Sequence, residues 1–294
     1  MSKLLVIGHT VLDEIYYKDN RDVRPGGIFH TVNTLANIKE KNDDIYLVTL
    51  IPHNNFELYD PIYSRVNLDL STRIKNIPKV SLTLHDNEER QECHHHMTDK
   101  IVLPMKINYK QFNSILINMI SGYDISIDDI KWIRKNSACP IYFDVHTLAR
   151  GHNVNGVRNF KQINNIDHWL RNIDIIQMNE NELWTLFGKI NESEIIKKIF
   201  SYGVEIVIIT KGANGAEMFK KNGENIKVKA LDISAINTVG CGDTFGAAFL
   251  YNFTKYNDPI KSFHYANIAA GMSTTYKSLT EYERLKDDIT KRFN

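Results

Sequence analysis

Cysteine is scarce in this chain: Cys93, Cys139 and Cys241 stand far apart among 294 residues. An odd, widely spaced set does not build a disulfide framework and fits reduced thiols in a cytoplasmic protein. Charge of one sign is lacking too. Thirty-six Lys and Arg face 35 Asp and Glu for a formal net charge of +1, and no long basic or acidic block appears. Binding to nucleic acid by bulk charge is therefore not expected. No apolar run approaches a membrane span, and the opening Met1–Gly8 stretch is too short in apolar residues to read as a secretory signal. Internal repeats and low-complexity tails are absent. What remains is 43% hydrophobic content, enough for a sizeable core and one large domain, or one plus a small appendage.

The most informative stretch runs from Asn237 to Leu250. Its first half, Asn237-Thr238-Val239-Gly240-Cys241-Gly242, holds two glycines one small residue apart, so the backbone there can adopt conformations closed to other residues. From Asp243 onward small and large apolar residues alternate as in a buried helix that starts at the aspartate. A glycine turn feeding a helix N-terminus offers unpaired N–H groups and the positive end of the dipole, which suits an anion. A carboxylate beside such a site is unexpected in a simple phosphate loop. It makes sense if it deprotonates a hydroxyl that then attacks the phosphate. Taken alone, an N-capping aspartate after a glycine turn explains the residues equally well.

Asn237-Thr238-Val239-Gly240-Cys241-Gly242-Asp243 resembles the Asp-Thr-x-Gly-Ala-Gly-Asp signature of the PfkB (ribokinase-like) family of carbohydrate kinases. Cys241 stands where alanine is usual and Asn237 where aspartate is usual. Further matches follow in order. Asn179-Glu180-Asn181-Glu182 is similar to the family's Asn-x-x-Glu motif, and also reads as a capping box. Thr210-Lys211-Gly212-Ala213-Asn214-Gly215-Ala216 resembles its Thr-x-Gly-x-x-Gly-Ala nucleotide loop. Gly26-Gly27, ahead of a helical pattern over 28–38, resembles its first signature, with Thr31 where asparagine is usual.

The resemblance implies a doubly wound, mainly parallel α/β sheet flanked by helices with a small β-sheet lid. Strand and helix patterns alternating along the chain point the same way. The expected layout is one domain over 1–294, with lid segments at about 14–25 and 79–103. The Lys79–His85 alternation, a turn at 86–89 and a return through Arg90–His96 read as a hairpin. Helical character is expected over Tyr109–Met119, strand character over Tyr123–Ile127, and a charged terminal helix over Thr280–Asn294.

The resemblance also assigns roles. Asp243 would act as base, with the amides of Gly240, Cys241 and Gly242 as an oxyanion-type cradle. Asp13, Gly26, Gly27 and Thr31 would bind the acceptor alongside Asp243. Asn179, Thr210, Gly212, Gly215 and Asn267 would hold ATP, and Glu182 would help hold Mg2+ through water. Arg150 reaches a phosphate or serves as an ordinary surface arginine. The implied activity is ATP-dependent phosphorylation of a hydroxymethyl group on a sugar or sugar-like molecule. A nucleoside kinase, with Tyr16, Phe29 and Phe56 stacking on a base, is one alternative, and a non-catalytic ligand binder is another. The lid offers a possible homodimer interface. Asn237 implies weak or absent monovalent-cation activation. His94-His95-His96 suits solvent or a lid face better than a metal, because strand neighbours point to opposite faces.

Overall fold

The structure is a computed structural model that describes residues 1–83, 91–95, 99–152 and 158–293. Nearly continuous apolar runs form its parallel strands, as burial on both faces requires. β1 (Lys3–Ile7) is the penultimate strand of the main sheet, one in from its edge. β2 (Thr10–Tyr17) and β3 (Asn20–Gly27) form an antiparallel hairpin that leaves the body, and α1 (Ile28–Ile38) returns the chain to β4 (Asp44–Val48). A short excursion follows: β5 (Leu50–Pro52), α2 (Asp60–Tyr63) and β6 (Thr72–Ile74). β7 (Lys79–Thr83) and β8 (Gln91–His95) then join the hairpin in a four-stranded lid sheet of order β3-β2-β7-β8.

The chain re-enters the body at β9 (Ser114–Asn118), α3 (Ile127–Asn136) and β10 (Ile141–Asp144). A small ribbon, β11 (Arg150–His152) with β12 (Arg158–Phe160), precedes α4 (Ile166–Leu170), β13 (Ile175–Asn179), α5 (Glu180–Phe187), α6 (Glu192–Ser201) and β14 (Ile206–Thr210). The edge hairpin is β15 (Ala216–Lys220) and β16 (Asn225–Val228), after which α7 (Cys241–Tyr256), α8 (Pro259–Ser273), α9 (Leu279–Tyr282) and α10 (Leu285–Phe293) close the molecule. The main sheet has the order β16-β15-β14-β13-β10-β9-β1-β4, parallel from β4 to β14 and antiparallel at β15 and β16.

Two features of this topology position chemistry. The connection leaving β1 runs toward β4, whereas the one leaving β9 runs the other way, so the sheet's switch point lies between β1 and β9. The carboxyl edge of the sheet is also polar in register: Asn118 pairs with Asp144, Asp144 with Gln177, and Asn179 with Thr210.

The Tyr109–Met119 stretch is not an α-helix: a single 3-10 turn, Tyr109–Gln111, precedes strand β9. Its five residues Ser114–Asn118 are all buried, so the 2.0 and 3.6 periods are both masked and the apolar content alone suggested a helix. Tyr123–Ile127 is not a strand. It is a turn organised by Asp124, and Ile127 already opens α3, capped by Ser126. The terminal helix is broken into α9 and α10. The expected turn at 86–89 and His96 lie outside the described residues.

Asp124 is fully buried and fastens the end of β1 to the loop after β9. Its carboxylate accepts from the His9 amide at 2.7 Å and from Ser121 and Gly122 amides at 2.9 and 3.1 Å. The Ser121 hydroxyl donates at 3.0 Å. Burial alone would raise its pKa; the adjacent His9 ring and these donors outweigh that and lower it. Asp124→Ala should cost about 3–5 kcal/mol at neutral pH. Because folding depresses this pKa, the contribution is present above the unfolded value of about 3.9 and is lost as pH falls through the folded value. Urea melts should therefore show the gap between wild type and variant closing as pH falls below that value; an unchanged gap would contradict it.

Candidate active site

α7 begins where the chain, returning from the edge hairpin along an exposed segment, turns sharply into the body. Gly240 makes the turn at φ 78°, a left-handed conformation that favours glycine, and no side chain caps the helix. A Cβ on Gly240 would sit 2.5 Å from the His30 ring, so the turn is also packed tightly onto α1. Thr34 Oγ1 ties the two helices by donating to Thr244 Oγ1 at 3.0 Å. The Cys241 amide points to the Thr238 carbonyl at 3.3 Å. The amides of Gly240 and Gly242 have no protein acceptor among the described residues, which leaves them as donors at the positive end of a sixteen-residue helix.

Asp243, in the first turn of α7, is buried and accepts from Asn118 Nδ2 at 2.5 Å. Beneath it, Gln177 Nε2 donates to Asp144 Oδ2 at 2.9 Å and to the Gly242 carbonyl at 3.1 Å, while Gln177 Oε1 accepts from Tyr142 at 2.6 Å. One amide thus links two strands to the glycine turn. Burial, reinforced by the nearby Glu182 and Asp243 carboxylates, pushes the Asp144 pKa well above the carboxylate range. Burial also raises Glu182, against the Asn179 amide and the Arg150 and Arg158 charges that hold it down.

Asn179 and Glu182 form the expected capping box at the start of α5. Glu182 N–H donates to Asn179 Oδ1 at 2.9 Å, and Asn179 N–H donates to Glu182 Oε2 at 3.0 Å. Arg150 reaches Glu182 Oε1 at 3.4 Å and lies over the Phe160 ring at 4.7 Å.

A cleft of about 1070 Å³ runs from this turn to the edge hairpin. Its lining includes Asn179, Glu182, Thr210, Gly212, Gly215, Gly240, Cys241, Gly242, Asp243 and Asn267. The residues expected to serve the nucleotide and the transfer step therefore share one cavity. Its far end is apolar, with Leu231, Ile233 and Ala270. Asn267 Nδ2 is bonded to the Lys229 carbonyl at 2.9 Å.

Asp13, Gly26, Gly27 and Thr31 do not line that cleft. They form a second group at the root of the lid. Asp13 is buried on β2 opposite Arg24, and a Cβ on Gly26 would fall 2.2 Å from its Oδ2, so glycine there makes room for the carboxylate. Gly27, at φ 64°, lies against the His9 carbonyl. The two groups meet where His30 packs on Gly240 and Asn118 on Asp243. On β8, His94 is buried opposite Val80, the residue that pairs with Asp13, whereas His95 is exposed and 3.1 Å from Ser81 Oγ.

The aromatics that suggested a base-stacking pocket are engaged elsewhere. Phe29 is buried edge-on to Tyr59 at 6.0 Å, Phe56 lies under Arg73 at 4.7 Å, and the Tyr16 hydroxyl donates to Glu14 at 2.9 Å. Sequence reasoning did not single out Asn118, Gln177 or His30 as site residues. The signal for the first two was their place at the ends of strands, where α/β ligands gather; His30 carried none.

The model of the pfkB family carbohydrate kinases matches residues 110–284, well over half of the chain. The chain belongs to this family. As a PfkB kinase it has near neighbours among solved structures. The ribokinase of Arabidopsis thaliana, complexed with ribose and ATP, superposes with a TM-score of 0.79 over 98% of this chain and 99% of that one at 18% identity. A putative ribokinase II from E. coli, complexed with ATP and Mg2+, gives 0.78 over 99% and 100% at 15%. At these identities the likeness establishes the ribokinase-like fold. By sequence, a 5-dehydro-2-deoxygluconokinase of Bacillus licheniformis is 28% identical over 94 residues. That stretch is 32% of this chain and 29% of the relative, so the match spans under a third of the relative's length.

Gly215, at φ 90°, brings backbone to within van der Waals range of β16: a Cβ there would lie 1.9 Å from the Val228 carbonyl and 2.7 Å from the Ala230 amide. Gly215→Ala should cost about 1–3 kcal/mol and shift the Ala230–Leu231 wall. Thermal melts with and without ATP should show a lower Tm and a smaller nucleotide-induced increase. An unaltered increase would contradict the expectation that Gly215 serves the nucleotide.

Proposed function

We propose that this PfkB kinase transfers the terminal phosphoryl group of ATP to a hydroxymethyl group of a sugar or sugar-like acceptor. The observation that carries the proposal is the buried Asp243 carboxylate, fixed by Asn118 beside the open amides of the glycine turn, at the junction of the cleft and the lid-root group. Asp243 takes the proton of the acceptor hydroxyl. The amides of Gly240 and Gly242, with the α7 dipole behind them, stabilise the charge that builds on the transferring group. Glycine here lets the backbone come close, and water exclusion strengthens each of these interactions.

The nucleotide fits the residues present. The cleft pairs an apolar far wall of Leu231, Ile233 and Ala270 with a glycine-lined near end, as expected for a flat base at one end and phosphates at the other. Magnesium fits in one particular way. Among the described residues no group of three His, Cys, Asp or Glu forms a cation cage, and Glu182 Oε2 is committed to the Asn179 amide. Mg2+ characteristically keeps several waters and binds through one or two carboxylates together with phosphates. Glu182 would hold it through water, where its charge would offset the crowding of Glu182, Asp144 and Asp243. When bound, the ion supplies charge neutralisation on the phosphates.

The cleft-side residues keep their order in this reading. Asn179 and Thr210 meet the phosphates and ribose, Gly212 and Gly215 admit the nucleotide backbone-first, and Asn267 edges the base. Asp13, Gly26, Gly27 and Thr31 receive the acceptor under the lid. A homodimer through the lid belongs to the same proposal, since β3 is a largely exposed edge strand. So does a cytoplasmic location: none of the three cysteines is in a disulfide, and no helix among the described residues is long and apolar enough to cross a membrane.

Asp243→Asn should fold with an unchanged circular dichroism spectrum and bind ATP, yet lose at least about a hundredfold in kcat. A variant that still turns over at the wild-type rate would end the assignment of Asp243 as base. Asn237 uses its side-chain oxygen to accept the Val239 amide at 3.0 Å, and a neutral, engaged amide is a poor ligand for a hard cation. Replacing sodium by potassium in the assay should therefore leave the rate nearly unchanged, and a several-fold rise would contradict this.

A further inference from the structure

Two buried polar side chains support the glycine turn from the sheet side. Gln177 is 2% exposed and Tyr142 0%. The parallel pairing of β10 with β13 sets Asp144 beside Gln177 and Tyr142 beside Ile175. Side chains alternate along a strand, so Tyr142, Asp144 and Gln177 emerge on one face of the sheet. α7 covers that face. Tyr142 packs against Phe249 with ring centroids 5.7 Å apart, and an added Cβ on Gly246 would lie 3.1 Å from Tyr142 Cε1 and 3.3 Å from Gln177 Oε1. Glycine inside a helix is a poor choice against alanine. At position 246 it gives the Tyr142–Gln177 pair room to reach the helix backbone.

Both ends of the Gln177 amide are committed. Nε2 donates to the Gly242 carbonyl at 3.1 Å and to Asp144 Oδ2 at 2.9 Å, which uses both of its N–H groups. Oε1 accepts from the Tyr142 hydroxyl at 2.6 Å. That hydroxyl fixes which way the amide faces, because a flipped amide would set its oxygen against the Gly242 carbonyl and Asp144. Burial pushes the Tyr142 pKa further up, so the phenol stays a donor. A peptide unit is planar and trans, with its C=O and N–H pointing in opposite directions. Holding the Gly242 carbonyl therefore orients the whole Gly242–Asp243 unit. Its N–H faces away from Gln177, and the backbone that carries the Asp243 carboxylate is fixed from the sheet side. Asn118 holds the same residue by its side chain.

We infer that Gln177, oriented by Tyr142, is a positioning residue of the transfer step, locking the glycine turn and Asp243 in the geometry that the transferring phosphoryl group requires. The inference rests on the phosphotransfer reading proposed above. Gln177 and Tyr142 lie behind the cleft wall and are not among its lining residues, so they act through the turn and touch neither nucleotide nor acceptor. Loosening the turn costs most where charge builds up, in the transition state. The effect therefore belongs to kcat and not to KM.

The test starts with wild-type protein, ATP and Mg2+ on a panel of sugars and nucleosides, where no turnover of any acceptor overturns the phosphotransfer reading and this inference with it. With an active acceptor in hand, Gln177→Leu keeps much of the volume and removes the amide. It should lower kcat about tenfold or more while the KM values for ATP and acceptor stay within about twofold. Tyr142→Phe removes only the hydroxyl and should lower kcat about threefold. A binding measurement separates positioning from plain destabilisation. Isothermal titration with Mg2+ and acceptor present should give an unchanged Kd for ADP in both variants. The affinity for ADP with aluminium fluoride, a mimic of the transferring group, should fall by the same factor as kcat. If Gln177→Leu does not fold, Tyr142→Phe carries both measurements. A lower Tm with wild-type kcat, or equal weakening of ADP and of ADP with aluminium fluoride, would overturn the role of Gln177 and leave Asp243 as base.

Discussion

The bond from Asn118 to Asp243 joins the two parts of the molecule on which everything else depends. Asn118 is the last residue of a buried central strand, and Asp243 lies in the first turn of a helix that arrives from the far edge of the sheet. At 2.5 Å the amide holds the carboxylate at the mouth of the glycine turn. A carboxylate at a helix N-terminus is favoured by the dipole, and the amide donor adds to that preference.

The same economy recurs along the carboxyl edge of the sheet. Polar side chains in register, Asn118, Asp144, Gln177, Asn179 and Thr210, replace the apolar residues that fill the strands behind them. Gln177 spans three partners, and the Asn179–Glu182 box turns a helix start into part of the cleft wall. Burial raises the pKa values of both Asp144 and Glu182, and for Asp144 the Glu182 and Asp243 carboxylates add to it.

Much of this was legible along the chain. Gly240-Cys241-Gly242-Asp243 is a local feature: the glycine turn, the helix start and the carboxylate all fall within one turn of chain. The capping box at Asn179 and Glu182 is equally local. The N-terminal half was harder. Tyr109–Met119 read as helix because every residue of Ser114–Asn118 is buried and no period survives. His30 gave no signal, since its contact is with Gly240, which lies 210 positions further along the chain. The stacking roles considered for Phe29 and Phe56 fell to packing contacts that only the folded chain reveals.

By itself the sequence determined the glycine turn, the helix that follows it, the capping box, the α/β class and the family. Each of these depends on residues within a turn or two of one another, where backbone preference and side-chain spacing act directly. Tertiary structure decided the contacts between distant segments: that Asn118 would face Asp243, that His9 would be held by Asp124 and Ser121, and that Gly26 would make way for Asp13. These contacts join strands and loops separated by a dozen to more than a hundred positions. Their partners are chosen by sheet order and strand register, which no local pattern encodes.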